Sequence, residues 1–85
     1  MTVYDLIYNY KRNNPGGHFF DHDTLKFFGE RVSEMRVLKD TATCKTWSGE
    51  EHECYVLSTL QRNAPGGPRR HYAYFDVSTF EHIAS

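Results

Sequence analysis

Glu53-Cys54-Tyr55-Val56-Leu57-Ser58-Thr59-Leu60 is the stretch on which the fold turns. Its Tyr, Val and Thr suit a pleated backbone, and no Gly or Pro interrupts it, so the run reads as a strand. Turn formers bracket it: Trp47-Ser48-Gly49-Glu50-Glu51 before and Asn63-Ala64-Pro65-Gly66-Gly67-Pro68 after. Outside these lie two more extended runs. Met35-Arg36-Val37-Leu38-Lys39 continues through Thr41, Thr43 and Thr46, and His71-Tyr72-Ala73-Tyr74-Phe75-Asp76-Val77 forms the last strand. Short connections between neighbours favour antiparallel pairing, which gives a three-stranded meander. Ser78-Thr79-Phe80-Glu81 then has the N-cap character of a short closing turn of helix.

Toward the N-terminus the apolar period changes from two to 3.6. Val3, Leu6, Ile7 and Tyr10 form one helical stripe, with Thr2 as N-cap, Asp5 in a near-capping-box position, and Lys11 and Arg12 at the negative end of the dipole. Asn13-Asn14-Pro15-Gly16-Gly17 stops that helix. A second helix is expected from Asp23 or Thr24, burying Leu25, Phe28 and Val32, although Gly29 weakens it by about 1 kcal/mol. The predicted architecture is α+β, with two N-terminal helices packed on one face of a three-stranded antiparallel meander. Arg12-Asn13-Asn14-Pro15-Gly16-Gly17 and Arg62-Asn63-Ala64-Pro65-Gly66-Gly67 echo each other, but their neighbours do not match, so they read as two independent turns.

Eighty-five residues allow one small domain, residues 1–85. Thirteen aromatic residues, 15% of the chain, compensate for the small core because each ring buries roughly 150–250 Å². A net charge of −1 removes whole-molecule attraction to phosphate. No apolar run approaches the ~18 residues of a membrane span, and the first ten residues lack the basic and apolar regions of a secretory signal. Cys44 and Cys54 are too few for a disulfide scaffold. A reducing, cytoplasmic setting follows as the expectation.

Two groups of residues offer chemistry. If the Trp47–Glu51 turn closes a hairpin centred on Gly49, Cys44 lies opposite Cys54, with His52 on the same face. His82, arriving from the tail past Val77, would complete a Cys2His2 zinc set of Cys44, His52, Cys54 and His82. Two small core thiols beside solvent-facing histidines are the simpler reading, leaving no cofactor, with structural zinc as the alternative. His18 and His22 precede the expected helix and read as surface residues beside capping aspartates. No G-x-S-x-G, P-loop, G-x-G-x-x-G or H-E-x-x-H occurs, so a non-enzyme is expected, with a small thiol or metal hydrolase as an outlying alternative.

The second group is Arg62, Arg69 and Arg70 around the Pro-Gly turn, followed by Tyr72 and Tyr74. Arginine beside tyrosine suits the anchors of a protein interface. The same residues would also serve a single-stranded nucleic-acid module that holds phosphates and stacks bases. The slightly negative charge ranks the protein partner first. Tyr4 and Tyr8, off the apolar stripe of the first helix, are the fallback surface.

Asn14-Pro15-Gly16-Gly17-His18-Phe19-Phe20-Asp21, continuing through Thr24-Leu25-Lys26-Phe27-Phe28-Gly29, resembles a small, uncharacterised protein type of bacteriophages and mobile elements. The Tyr72–Asp76 close is similar to the Tyr/Phe-Asp ending of that type. The resemblance implies a phage gene product in the cytoplasm of a bacterial host. By analogy with anti-CRISPR proteins of similar size, it implies an anti-defence inhibitor that blocks a host protein or protein–nucleic-acid complex, with no membrane partner. It carries over no functional residues.

Overall fold

Thr2 caps the helix α1 (Val3–Asn13) as its side chain requires: the Thr2 hydroxyl accepts from the Asp5 N–H at 3.1 Å, and the Asp5 carboxylate accepts from the Thr2 N–H at 3.4 Å. Asn14 closes the other end, its N–H reaching the Tyr10 carbonyl at 2.9 Å. Val3, Leu6, Ile7 and Tyr10 are buried, and Tyr4 and Tyr8 are exposed. The first helix is as expected. The computed structural model describes residues 1–15, 20–21, 26–27 and 30–85.

The rest departs from two helices on three strands. Among the described residues there is one helix and a five-stranded antiparallel sheet, together with a small sheet of three two-residue strands. The small sheet consists of β1 (Phe20–Asp21), β2 (Lys26–Phe27) and β3 (Glu30–Arg31), paired in order. Extended pairs at Lys26–Phe27 and Glu30–Arg31 replace the expected second helix. Helical spacing of three apolar residues competes there with aromatic residues that favour strands and with a glycine that disfavours helix, and the strand preference prevails. The expected start at Asp23 or Thr24 and the His18/His22 pair lie outside the described residues.

The large sheet contains β4 (Glu34–Val37), β5 (Ala42–Lys45), β6 (Glu51–Gln61), β7 (Arg69–Asp76) and β8 (His82–Ala84). The decisive stretch lies inside β6, which holds the sheet together. Leu57 pairs with Val37 on one side and Ala73 on the other, while Cys54 pairs with Ala42 and Asp76. β4 and β5 therefore occupy the same edge of β6, one after the other. The expected first strand is broken between them, because Val37 opposes Leu57 whereas Ala42 opposes Cys54. Four residues intervene on one strand and two on the other, so Leu38–Thr41 bends out around Lys39 and Asp40.

The closing segment is also corrected, from a helical turn to a strand. Asp76 accepts from the N–H groups of Ser78 and Thr79 at 2.7 and 2.9 Å, which turns the chain. β8 then returns along β7, with Phe75 opposite His82, Tyr74 opposite Ala84, and a bulge between. Phe80 takes a left-handed φ of 59° in this turn and stacks on Tyr55 at 5.6 Å. Asn13 and Asn14 side chains at the helix end donate to the Thr79 and Phe80 carbonyls, both at 3.4 Å.

One face of the sheet packs on α1. Leu57, Ala73 and Phe75 are fully buried there with Met35, Val32 and the helix stripe, and Tyr10 meets Phe75 edge-on at 5.6 Å. Alternation sends Cys54, Val56, Ser58 and Leu60 to the opposite, outer face.

Candidate functional site

The outer face is assembled by the register of three strands. Ser58 lies between Arg36 of β4 and Tyr72 of β7, Leu60 lies between Glu34 and Arg70, and Val56 lies beside Tyr74. Residues facing one another across paired strands share a side of the sheet, so Arg36, Arg70, Tyr72 and Tyr74 stand together. The Arg70 guanidinium donates to the Ser58 hydroxyl at 2.6 Å, satisfying a serine that is 1% exposed. Arg36 is exposed and makes no ion pair among the described residues. Beside this basic end lies a groove of about 340 Å3, with Val56 buried in it and Leu38, Ala42, Tyr72 and Tyr74 around it. Asp40 and Thr41 complete the lining.

The arrangement combines an apolar base, two phenol rings and two guanidinium groups on rigid strands, which is the composition of a recognition surface. Of the residues expected to bind a partner, Arg70, Tyr72 and Tyr74 come together here. Arg69 does not, because alternation places it on the other side of β7. Arg62 lies beyond the end of β6 and is engaged with Glu34 at 2.8 Å. Arg36, Leu38, Asp40 and Val56 belong to the surface but were not among the expected residues. The alternation of β6 identifies Val56, but Arg36 and Leu38 join it only through a strand register that the local pattern leaves open.

Of the expected zinc set, Cys44, His52 and Cys54 stay together on one face of the sheet and His82 leaves it. Cys44 pairs with His52 and Cys54 with Ala42, so the two thiols are diagonal neighbours and not the direct pair expected from a turn centred on Gly49. The tail follows a different path as well. Cys54 pairs with Asp76, while His82 pairs with Phe75 and packs on its ring at 5.1 Å, on the helix side of the sheet. Burial lowers the His82 pKa from its ordinary value. Among the described residues no three His, Cys, Asp or Glu side chains are grouped to hold a metal ion.

What Cys54 and His52 build is a structural clasp. His52 Nδ1 and Asp76 Oδ2 lie 2.8 Å apart, and His52 Nε2 is 3.5 Å from Glu50. The His52 pKa is raised, first by its hydrogen bond to Asp76. The Asp76 carboxyl is held down at about 2, first by that same bond and next by the Thr79 and Ser78 N–H groups. Cys54 is fully buried; its S–H donates to the His52 carbonyl at 3.6 Å, and its pKa is pushed up to about 12 by burial and then by Cys44. A thiol so shifted is the opposite of one prepared for nucleophilic attack. Both His52 nitrogens face carboxylates, which favours the charged form of the ring.

Comparison with known proteins places the chain in no family. No family model matches it, and neither a curated protein nor a solved structure does. No described helix is long and apolar enough to cross a membrane.

Proposed function

We propose that this chain is a stoichiometric binding protein whose outer sheet face occupies a site on another protein. The resemblance of its Asn14–Gly29 segment to phage proteins suggests the setting: an anti-defence inhibitor that blocks a host protein or protein–nucleic-acid complex, such as a defence nuclease. One observation carries the reading. Arg70, Tyr72 and Tyr74 gather with Arg36 around an apolar groove on the side away from the helix. The nearby His52, Cys54 and Asp76 are committed to one another and to the β7–β8 turn.

The test is affinity capture from bacterial lysate with three forms of the protein, each checked for native circular dichroism. Wild type should recover a specific host protein. Tyr4→Ala/Tyr8→Ala, on the exposed side of α1, should recover it equally, and Arg70→Ala/Tyr72→Ala should not. Loss of a guanidinium or aromatic anchor typically weakens binding by about 2 kcal/mol or more. Capture unaffected by the outer-face changes places the interface elsewhere. Tight oligonucleotide binding with no protein capture favours the single-stranded nucleic-acid reading, since the same arginines and tyrosines also suit phosphates and bases.

A further inference from the structure

Trp47 is the only tryptophan in the chain, and it is fully exposed. It sits at the tip of the β5–β6 hairpin in a turn tied to Thr46. The Thr46 N–H reaches the Glu50 carbonyl at 2.8 Å, the Gly49 N–H reaches the Thr46 carbonyl at 2.9 Å, and the Thr46 hydroxyl accepts from the Glu50 N–H at 3.2 Å. Gly49 holds a φ of 93°, which the turn needs. A large ring carried on a turn whose backbone is already ordered spares binding the cost of ordering that turn, so it is suited to act as an anchor. Two exposed carboxylates accompany it, Glu51 and Glu50, the latter 3.5 Å from His52 Nε2.

The outer-face groove is the chemical complement of that tip. Val56 and Leu38 give it an apolar lining, Tyr72 and Tyr74 provide rings for edge or offset stacking, and Asp40 provides the acceptor that a buried indole N–H requires. Arg36, opposite Ser58, stands one same-face step from Val56, about 7 Å away, and Arg70, opposite Leu60, stands one step beyond Tyr72, where carboxylates flanking the indole would arrive. At about 340 Å3 the groove has room for an aromatic side chain.

We infer that the occupant of the groove in the free protein is Trp47 of a second copy. The two chains form a two-fold symmetric dimer in which each hairpin tip lies in the other's groove, and Glu50 and Glu51 meet Arg36 and Arg70. Symmetry makes the two contacts identical, so the assembly closes at two chains. A pair of such contacts lies at the small end of stable interfaces, so that a tighter foreign partner displaces the second copy. The inference rests on the outer face being a binding surface, as proposed above.

Sedimentation of the full-length chain over a concentration series, read together with the emission of its sole tryptophan, tests this. Wild type should move from monomer to dimer at high micromolar concentration while its emission shifts to the blue. Trp47→Ala should stay monomeric with unchanged circular dichroism. Arg36→Glu/Arg70→Glu should weaken the dimer by about tenfold or more, and adding Glu50→Arg/Glu51→Arg to the same chain should restore it. A wild type that stays monomeric with the emission of exposed indole overturns the inference, as does a dimer that survives Trp47→Ala. Failure of the second charge reversal to restore association overturns the pairing. A monomer that still captures its host protein through the outer face removes only the dimer, whereas a dimer that captures nothing removes only the proposed function.

Discussion

Ser58 and Thr59 are neighbours on the central strand, each 1% exposed, and they open onto opposite faces of one sheet. On the outer face the Ser58 hydroxyl is held by Arg70, whereas on the helix side the Thr59 hydroxyl has no hydrogen-bond partner among the described residues. The helix side is built for apolar density and tolerates an orphaned polar atom. The outer face is built from paired polar groups and rings that remain partly in water. Stability resides on the first face, and the second is the one on which we propose that a partner is recognised. Substitutions that move residues from one regime to the other should show the division.

The largest effect is expected at the centre of the helix side. Phe75 is fully buried against Tyr10 and His82, so Phe75→Ala should cost about 3–5 kcal/mol in urea unfolding. A cost as small as that of a surface change would contradict the division.

Asp76 comes next, at the border between the faces. Asp76→Ala removes the bond to His52 and frees the Ser78 and Thr79 N–H groups, at about 2 kcal/mol. The dependence on pH has a definite sign. His52 has a raised pKa, so its stabilisation is complete below the ordinary value of 6.5 and is lost as pH rises through the folded value. Asp76 has a lowered pKa, so its stabilisation is present above 3.8 and is lost as pH falls through about 2. Melting curves of wild type should fall on both sides of this window, and Asp76→Ala should flatten both limbs.

Thr59→Val should act in the opposite direction. It keeps the β-branched shape and removes the unsatisfied hydroxyl, so the domain should gain about 1 kcal/mol. A loss of stability would mean that the hydroxyl has a partner. The smallest effect belongs to the outer face: Tyr72→Ala, at a ring 41% exposed, should change unfolding by about 0.5 kcal/mol or less.

The same contrast explains what was legible in the sequence. The first helix was readable because its stripe, cap and stop lie within sixteen residues, Thr2 to Gly17, and agree with one another. β6 was readable because Tyr55, Val56 and Thr59 favour a strand and no Gly or Pro interrupts the run between two turns. The pairing of β6 was not, since a turn containing Gly49 admits more than one register and a two-residue offset keeps every side chain on its face. Cys44 accordingly met His52 instead of Cys54. The path of His82 depended on an aspartate-nucleated turn followed by a bulge, which local propensity does not reveal. Arg70, Tyr72 and Tyr74 were accessible to sequence reasoning because β7 alone aligns them, whereas Arg36 and Leu38 reached the same surface only through β4–β6 pairing.

The central claim is that the outer face, and not the exposed side of α1, meets the partner. Hydroxyl-radical footprinting of the free and partner-bound protein tests it most directly, because tyrosine and leucine side chains report on both surfaces in one experiment. Protection of Tyr72, Tyr74 and Leu38 with unchanged labelling of Tyr4 and Tyr8 is the predicted result. Protection of Tyr4 and Tyr8 with Tyr72 still fully labelled would contradict it.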